Sequence, residues 1–432
     1  MREKLVCYDY TGNIAMALTS RERIMRLMRG EPIDVIPWFP RIDLWYNFHK
    51  RQKTLPPEYE LTMEELIKKI GGGIYHRETP LYRERLRNVE IEIRYSNPIW
   101  KDRIENADTG LDRNYILGLV LQSLSHSKGN ALVKFKEITT LGDNEVLVQF
   151  ETPRGKVSAK FVTSEMLQEA GIRPYQSEYF IKDINKDLGP LKYIIGNIDL
   201  EPAFDDFTKT DTMVGEEGIV WARVSPYYSP MHQLMYIYMG LEQTCLALYD
   251  HKNKFDEIVE FIEVSLNKVH ELCLDSPALF VNHGGNFDST VLGPELFEAY
   301  FVPYLSKFAE KLHSKNKFLV VHVDGEMKNL MDLFPLTNSD VAEGFTPSPM
   351  TQVSFHEALR MWAGKVVIWG GIPATLLSKD TYEDEFYGYI RTLLDEGKTS
   401  PFVLSMGDNT PIDADLKRLE KVSEMVNRTA IN

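Results

Sequence analysis

Short apolar runs that stop at polar or glycine-rich turns alternate along this chain with amphipathic helical segments. The runs are Val35 to Phe39, Ile74 to Arg77, Gly218 to Val224, Ala278 to Val281, Phe318 to Val323, Asp340 to Glu343, Val366 to Trp369 and Phe402 to Ser405. Strands buried on both faces read as continuous apolar stretches, and parallel strands need a crossover between them. Helical periodicity at 254 to 273, 294 to 314, 354 to 363, 380 to 396 and 413 to 427 supplies such crossovers. Eight buried strands alternating with helices predict an α/β fold, a (β/α)8 TIM barrel with its reactive side chains at the strand ends.

The pattern breaks after the second strand. Between about 85 and 165 the period falls to two, in Val89-Glu90-Ile91-Glu92-Ile93 and again in Val146-Leu147-Val148-Gln149-Phe150, with a turn at Pro153-Arg154-Gly155. An antiparallel β insertion is expected there. The predicted organisation is 1–84 for the N-terminal helices and first two barrel strands, 85–170 for the insertion and 171–432 for the rest of the barrel. Thr19 and Glu22 form a capping-box pair at the start of the first helix, and Gly30 ends it.

With 43% hydrophobic residues over 432 positions, the chain can bury a large core. Its net charge of −14 argues against nucleic acid as a partner, because phosphate-binding surfaces need a basic excess. Cys7, Cys245 and Cys273 lie far apart with no CxxC pair, so no disulfide framework or thiolate zinc cluster is indicated. No run reaches the roughly 20 apolar residues of a membrane helix. A soluble cytoplasmic protein is expected, its oligomeric state open and a homodimer among the options.

His322-Val323-Asp324-Gly325 ends one of the apolar runs. It places an imidazole and a carboxylate two residues apart at a strand end, which suits metal ligation or acid/base work. The alternative is a packed histidine beside a helix-capping aspartate. Glu343 ends the next run and Asp408 follows the last. One imidazole and two or three carboxylates on a barrel rim are a donor set for zinc, and manganese or iron also take such ligands. His283 at the end of another run reads as structural or functional with equal right. Tyr227 and Tyr228, in a proline-flanked loop, and Trp38 are candidates to line a substrate pocket, although aromatic stripes are more often core. No GxGxxG, Walker A, GxSxG or kinase motif is present.

Taken together, Ser20-Arg21-Glu22-Arg23, Arg29-Gly30-Glu31-Pro32, Ile36-Pro37, Glu295 to Tyr304 (ELFEAYFVPY), His322-Val323-Asp324-Gly325, Gly370-Gly371-Ile372 and Gly407 to Pro411 resemble the uroporphyrinogen decarboxylase superfamily, and within it the cobalamin-dependent methyltransferase branch. The resemblance implies a TIM barrel with its site on the C-terminal rim. The decarboxylases carry an arginine-rich element after the first strand, whereas the matching stretch here, Phe39 to Trp45, holds only Arg41. The methyltransferases bind zinc through His-x-Cys-Gly and a later Gly-Cys. The matching positions here are His322, Asp324 and Asp408, so both thiolates give way to carboxylates.

The resemblance therefore implies a substrate:corrinoid methyltransferase of O-demethylase type, in which a divalent metal held by His322, Asp324, Glu343 and Asp408 polarises the oxygen of a methyl ether such as a methoxylated aromatic. Catalysis is expected of His322, Glu343 and Asp408, and substrate contact of Tyr227, Tyr228, His283, Trp38 and Arg41. No DxHxxG corrinoid motif is present, so the corrinoid is expected on a partner protein. Two other readings remain: a decarboxylase-like lyase in which Arg41 and Arg77 clamp a small acidic substrate with Asp43 as their polar partner, and a non-catalytic barrel that binds a corrinoid or tetrapyrrole.

Overall fold

The computed structural model describes residues 6–8, 14–97, 132–138, 140–162, 174–224, 229–400 and 402–431. Within these the chain divides into two compact units, one of residues 1–79, 207–223 and 278–432, the other of 80–206 and 224–277.

The first unit is built on a sheet of seven strands in the spatial order Ile74–Pro80, Gly218–Arg223, Phe280–His283, Phe318–His322, Val341–Phe345, Val367–Ile372 and Val403–Met406. From Gly218–Arg223 onward each strand pairs parallel with the next. The eighth place belongs to Pro37 to Phe39. Trp38 bridges Leu404 in parallel, Phe39 N–H donates to the Leu404 carbonyl at 2.9 Å and Leu404 N–H to the Pro37 carbonyl at 2.9 Å. On the other side Gly73 N–H donates to the Trp38 carbonyl at 2.8 Å. This short segment closes the (β/α)8 barrel expected from the alternation. Pro37 and Pro40 lack N–H groups, which limits the ladder to a bridge.

Opposite strands meet inside. The strands of Trp221 and Trp369 lie four places apart in the sheet, yet their rings are 4.7 Å apart, and Tyr75 and Phe39 pack on Trp369 at 5.3 and 4.9 Å. Such contacts are made only across the barrel interior. Phe39, Trp221, Phe280, Val320, Val341, Trp369 and Val403 form one buried cluster that also takes in Ile24 and Leu27 of helix Ser20–Met28. The helix starts as read from sequence, with the reciprocal Thr19 and Glu22 capping box.

The second unit contains the insertion. Its five-stranded sheet runs in the order Leu132–Glu137, Glu90–Tyr95, Glu145–Thr152, Gly155–Val162 and Tyr175–Glu178. It is antiparallel except that Leu132–Glu137 pairs parallel with Glu90–Tyr95. The two-residue period buries one face, with Ile91, Ile93, Val146, Val148, Phe150, Ala159 and Phe161 at its core. Tyr82–Leu86 pairs antiparallel with Ile198–Pro202, a pairing the sequence patterns do not announce. Among the described residues no helix is long and apolar enough to cross a membrane.

Close approach of strands fixes one glycine. A Cβ on Gly218 would stand 1.8 Å from the Ile74 carbonyl oxygen, a backbone atom that cannot turn aside. Gly218→Ala is expected to destabilise the protein by about 1–3 kcal/mol, the usual range for overpacking. Thermal unfolding checks this, and an unchanged midpoint would show that the two strands can part without cost.

Candidate active site

Side chains two residues apart on a strand point to the same face. Moving two residues beyond the interior cluster therefore gives the next interior layer: Arg41 after Phe39, Arg77 after Tyr75, Arg223 after Trp221, Asn282 after Phe280, His322 after Val320, Glu343 after Val341 and Ser405 after Val403. An aromatic and aliphatic floor is followed directly by a polar layer.

Glu343 lies at the heart of that layer, 1% exposed. His322 Nδ1 is 2.5 Å from its Oε2 and Arg77 Nη2 donates to the same oxygen at 3.0 Å, while Arg77 Nη2 and His322 Nδ1 are 3.4 Å apart. Burial alone would raise the Glu343 carboxyl, but the charges of Arg77 and His322, the His322 hydrogen bond and Arg41 together hold it well below the usual carboxylate range. Glu343 is thus an anion. His322 Nδ1 is then its N–H donor, which leaves Nε2 as the nitrogen available for other chemistry.

Local backbone fixes this triad. The sheet register shifts between Glu343 and Phe345, and the intervening Gly344 has φ +76°, in the left-handed region. A Cβ there would stand 2.6 Å from His322 Cε1, so the missing side chain lets the imidazole lie against the strand. Asn282 Nδ2 donates to the Arg77 carbonyl at 3.0 Å and ties the neighbouring strands together.

Toward the rim, Thr346 Oγ1 donates to Asp324 Oδ1 at 3.3 Å. Burial, with the like charge of Asp408, pushes the Asp324 carboxyl up, against the opposing pull of His322, Arg41 and Thr346. Arg41, 8% exposed, lies 3.8 Å from both Asp43 and Asp408. Its Nε and Nη1 are buried without a hydrogen bond, as are Tyr75 Oη, Asn282 Oδ1 and Ser405 Oγ. Buried polar atoms without partners are rare in native interiors and here gather around one layer.

The structure brings His322, Glu343, Asp324, Asp408 and Arg41 into one neighbourhood, and adds Arg77. Four other expected site residues behave differently. Tyr227 and Tyr228 lie outside the described residues. His283 faces away from the interior: its Nε2 is 3.2 Å from Tyr304 Oη and its ring packs on Phe308, on helix Val302–His313. Burial pushes its pKa down to about 4, as befits a neutral packing residue, because alternation sends the neighbouring Asn282 inward. Phe39 rather than Trp38 supplies the inward ring of its segment, for the same reason.

Within that neighbourhood the expected donors do not form a coordination shell. Among the described residues no three His, Cys, Asp or Glu side chains are placed to hold a metal ion. The positive charge against Glu343 is the Arg77 guanidinium. A divalent ion about 4 Å from it would meet a repulsion on the order of 8 kcal/mol at an effective dielectric of about 20, which offsets much of its attraction to the single Glu343 anion. With no three donors placed together and a guanidinium already on Glu343, the donor set as arranged does not fit a metal.

Residues 226–429 match the family model described as uroporphyrinogen decarboxylase (URO-D). This stretch is similar to that family. Among solved structures, a methyltransferase from Methanosarcina mazei is 11% identical, with 95% of this chain and 98% of that chain covered and a TM-score of 0.53. At that identity the likeness establishes the fold. Dispersin B and a xylose isomerase-like TIM barrel protein from Mycobacterium smegmatis in complex with magnesium cover 54% and 52% of this chain, and 79% and 76% of their own, at 12% and 14% identity with TM-scores of 0.29 and 0.27. No curated protein matches. Arg41, Arg77, Glu343 and the aromatic floor all belong to the barrel whose C-terminal half the matched stretch spans.

Two outcomes follow from the charge arrangement. Glu343→Gln removes the anion that the buried Arg77 guanidinium donates to and is expected to cost about 3–5 kcal/mol, while adding Arg77→Met should recover part of that loss; denaturant titration of the single and double variants checks both. Asp324 behaves oppositely. Its folded-state pKa lies above the ordinary 3.8, so its ionised form is disfavoured in the folded chain: below 3.8 it costs nothing, and the cost appears as pH rises through the folded-state value. Asp324→Asn should therefore unfold at a higher temperature than wild type at neutral pH, with the difference shrinking as pH falls toward 3.8. A variant less stable at neutral pH would show that the anion is favoured there.

Proposed function

We propose that this protein is an enzyme, a methyltransferase that takes the methyl group of a methyl ether, a methoxylated aromatic in particular, and passes it to the cobalt(I) corrinoid of a separate partner protein. The observation that carries the reading is the aromatic floor of Phe39, Tyr75, Trp221 and Trp369 with Arg41, Arg77 and the His322–Glu343 pair in the layer beyond it. A flat ring matches the floor, and its oxygen substituents match guanidinium and imidazole donors. The similarity to the URO-D family and the fold shared with a methyltransferase support the class.

Breaking an ether C–O bond is limited by the leaving oxygen, which needs a proton or a nearby positive charge as it departs. Glu343 orients His322 through Nδ1, so Nε2 is the atom that can supply the proton. Cobalt(I) provides the electron pair for the new bond to carbon, the pair of the old bond stays with oxygen, and the proton from Nε2 neutralises it. Arg77 keeps Glu343 ionised, and so keeps the imidazole turned for this task.

A second reading is favoured by Arg41, whose buried Nε and Nη1 without hydrogen bonds suit a substrate carboxylate: decarboxylation of a small acidic molecule. The two separate in one assay. Purified protein is mixed with a reduced corrinoid protein and a panel of methyl ethers, methylamines and thiols, and the cobalt(I) to methyl-cobalt(III) spectral change is followed. Transfer from ethers alone is expected, with His322→Ala slower by about 10²–10⁴-fold. Release of CO₂ without corrinoid would replace this reading with the lyase, and tight binding of a corrinoid or tetrapyrrole without any turnover would replace it with a binding barrel.

A further inference from the structure

We propose that Arg77 is the resident cation of this site: its guanidinium fills the place a divalent metal would need, and the working protein holds Glu343 and His322 without one. The geometry on which this stands is local. Glu343 Oε2 already receives two N–H groups, from His322 Nδ1 at 2.5 Å and Arg77 Nη2 at 3.0 Å. A carboxylate oxygen has two lone pairs, and a metal bound there would have to displace one of these donors.

Neither donor is loosely held. Arg77 extends from an interior strand position, with its own carbonyl fixed by Asn282 Nδ2 at 3.0 Å, and its side chain is 15% exposed. His322 is confined by the surface of Gly344, where even a methyl group would collide with the ring. The remaining acids are engaged elsewhere: Asp324 with Thr346, and Asp408 with Asn409 Nδ2 at 3.1 Å and with Arg41 at 3.8 Å. A guanidinium also differs from a metal in kind. It offers planar N–H donors of fixed charge rather than an open coordination position, so the site polarises by hydrogen bonding and needs no metal loading.

The assignment stands apart from the methyl-transfer reading, since it concerns what neutralises Glu343 whatever reaction follows. The test uses the full chain, dialysed against Zn²⁺, passed through a desalting column and analysed by plasma mass spectrometry, with Co²⁺ absorption spectra as a second readout. Wild type should carry zinc far below one equivalent per chain and show no ligand-field bands with Co²⁺. Arg77→Met, by freeing the imidazole and carboxylate, should gain zinc, and Arg77→Met with His322→Ala should lose it again. Stoichiometric zinc in wild type that disappears in His322→Ala overturns the proposal, and so does a folded Arg77→Met that binds no more zinc than wild type. Should Arg77→Met fail to fold, the wild-type metal content decides alone. Methyl transfer measured on the same preparations keeps the two readings distinct: metal-free protein without transfer sinks only the enzyme assignment, and zinc-loaded protein that transfers methyl sinks only this one.

Discussion

A carboxylate with 1% of its surface exposed stays ionised only where cations and N–H donors reach it, and Glu343 imposes that demand on the barrel interior. Arg77 and His322 meet it from two other strands, and Arg41 adds charge from the closing segment. The strands that carry these groups are therefore constrained in register. A one-residue slip of the Glu343 strand would turn its carboxylate outward among the apolar residues that face the helices and take it away from Arg77 and His322.

The floor beneath makes the charge pairing stringent. Phe39, Tyr75, Trp221 and Trp369 fill the barrel from four strands and leave little polar surface to share with the layer above. Burial, and after it the nearby Glu343, push the Tyr75 phenol up, so it remains a neutral hydroxyl facing the charged layer. The low local dielectric of this buried floor strengthens every interaction above, whether the paired ones of Glu343 or the unfilled donors of Arg41. The same floor that stabilises the barrel sets the electrostatics of the site.

Much of this was written in the sequence. Apolar runs separated by helical periodicity marked all eight barrel strands, and the switch to a period of two marked the insertion. The convergence of His322 with Glu343 followed from their ending adjacent strands. From sequence Arg77 stands out as a strand-end residue and a carboxylate clamp, and Arg223 does not stand out, because a lone arginine at a strand end has no spacing signature of its own. A signal was nonetheless available: Phe39-Pro40-Arg41, Tyr75-His76-Arg77 and Trp221-Ala222-Arg223 repeat an aromatic and an arginine two residues apart on three successive barrel positions. Strand alternation makes that spacing a floor residue and a layer residue. What no pattern could supply was the pairing across the barrel, since whether Glu343 meets a metal or a guanidinium depends on strands far apart in sequence. His283 misled for a related reason: it ends a strand as His322 does, but sits on the other parity and packs on a helix.

Asp324 and Asp408, at the positions where the resemblance implies thiolates, take on a different sense beside Arg77. Thiolates bind a borderline-soft metal strongly enough to justify a site built around it, whereas isolated carboxylates do so weakly unless several converge. Here Asp324 is pushed toward its neutral form and Asp408 faces Arg41 and Asn409, so neither offers a concentrated negative charge to a cation. A fixed guanidinium needs only one buried anion, which Glu343 provides. Under the proposal that Arg77 is the resident cation, the carboxylates at the positions where the resemblance implies thiolates and the arginine against Glu343 belong to one arrangement, in which a substrate would be polarised through N–H donors and a proton on His322 and not through a coordinated ion.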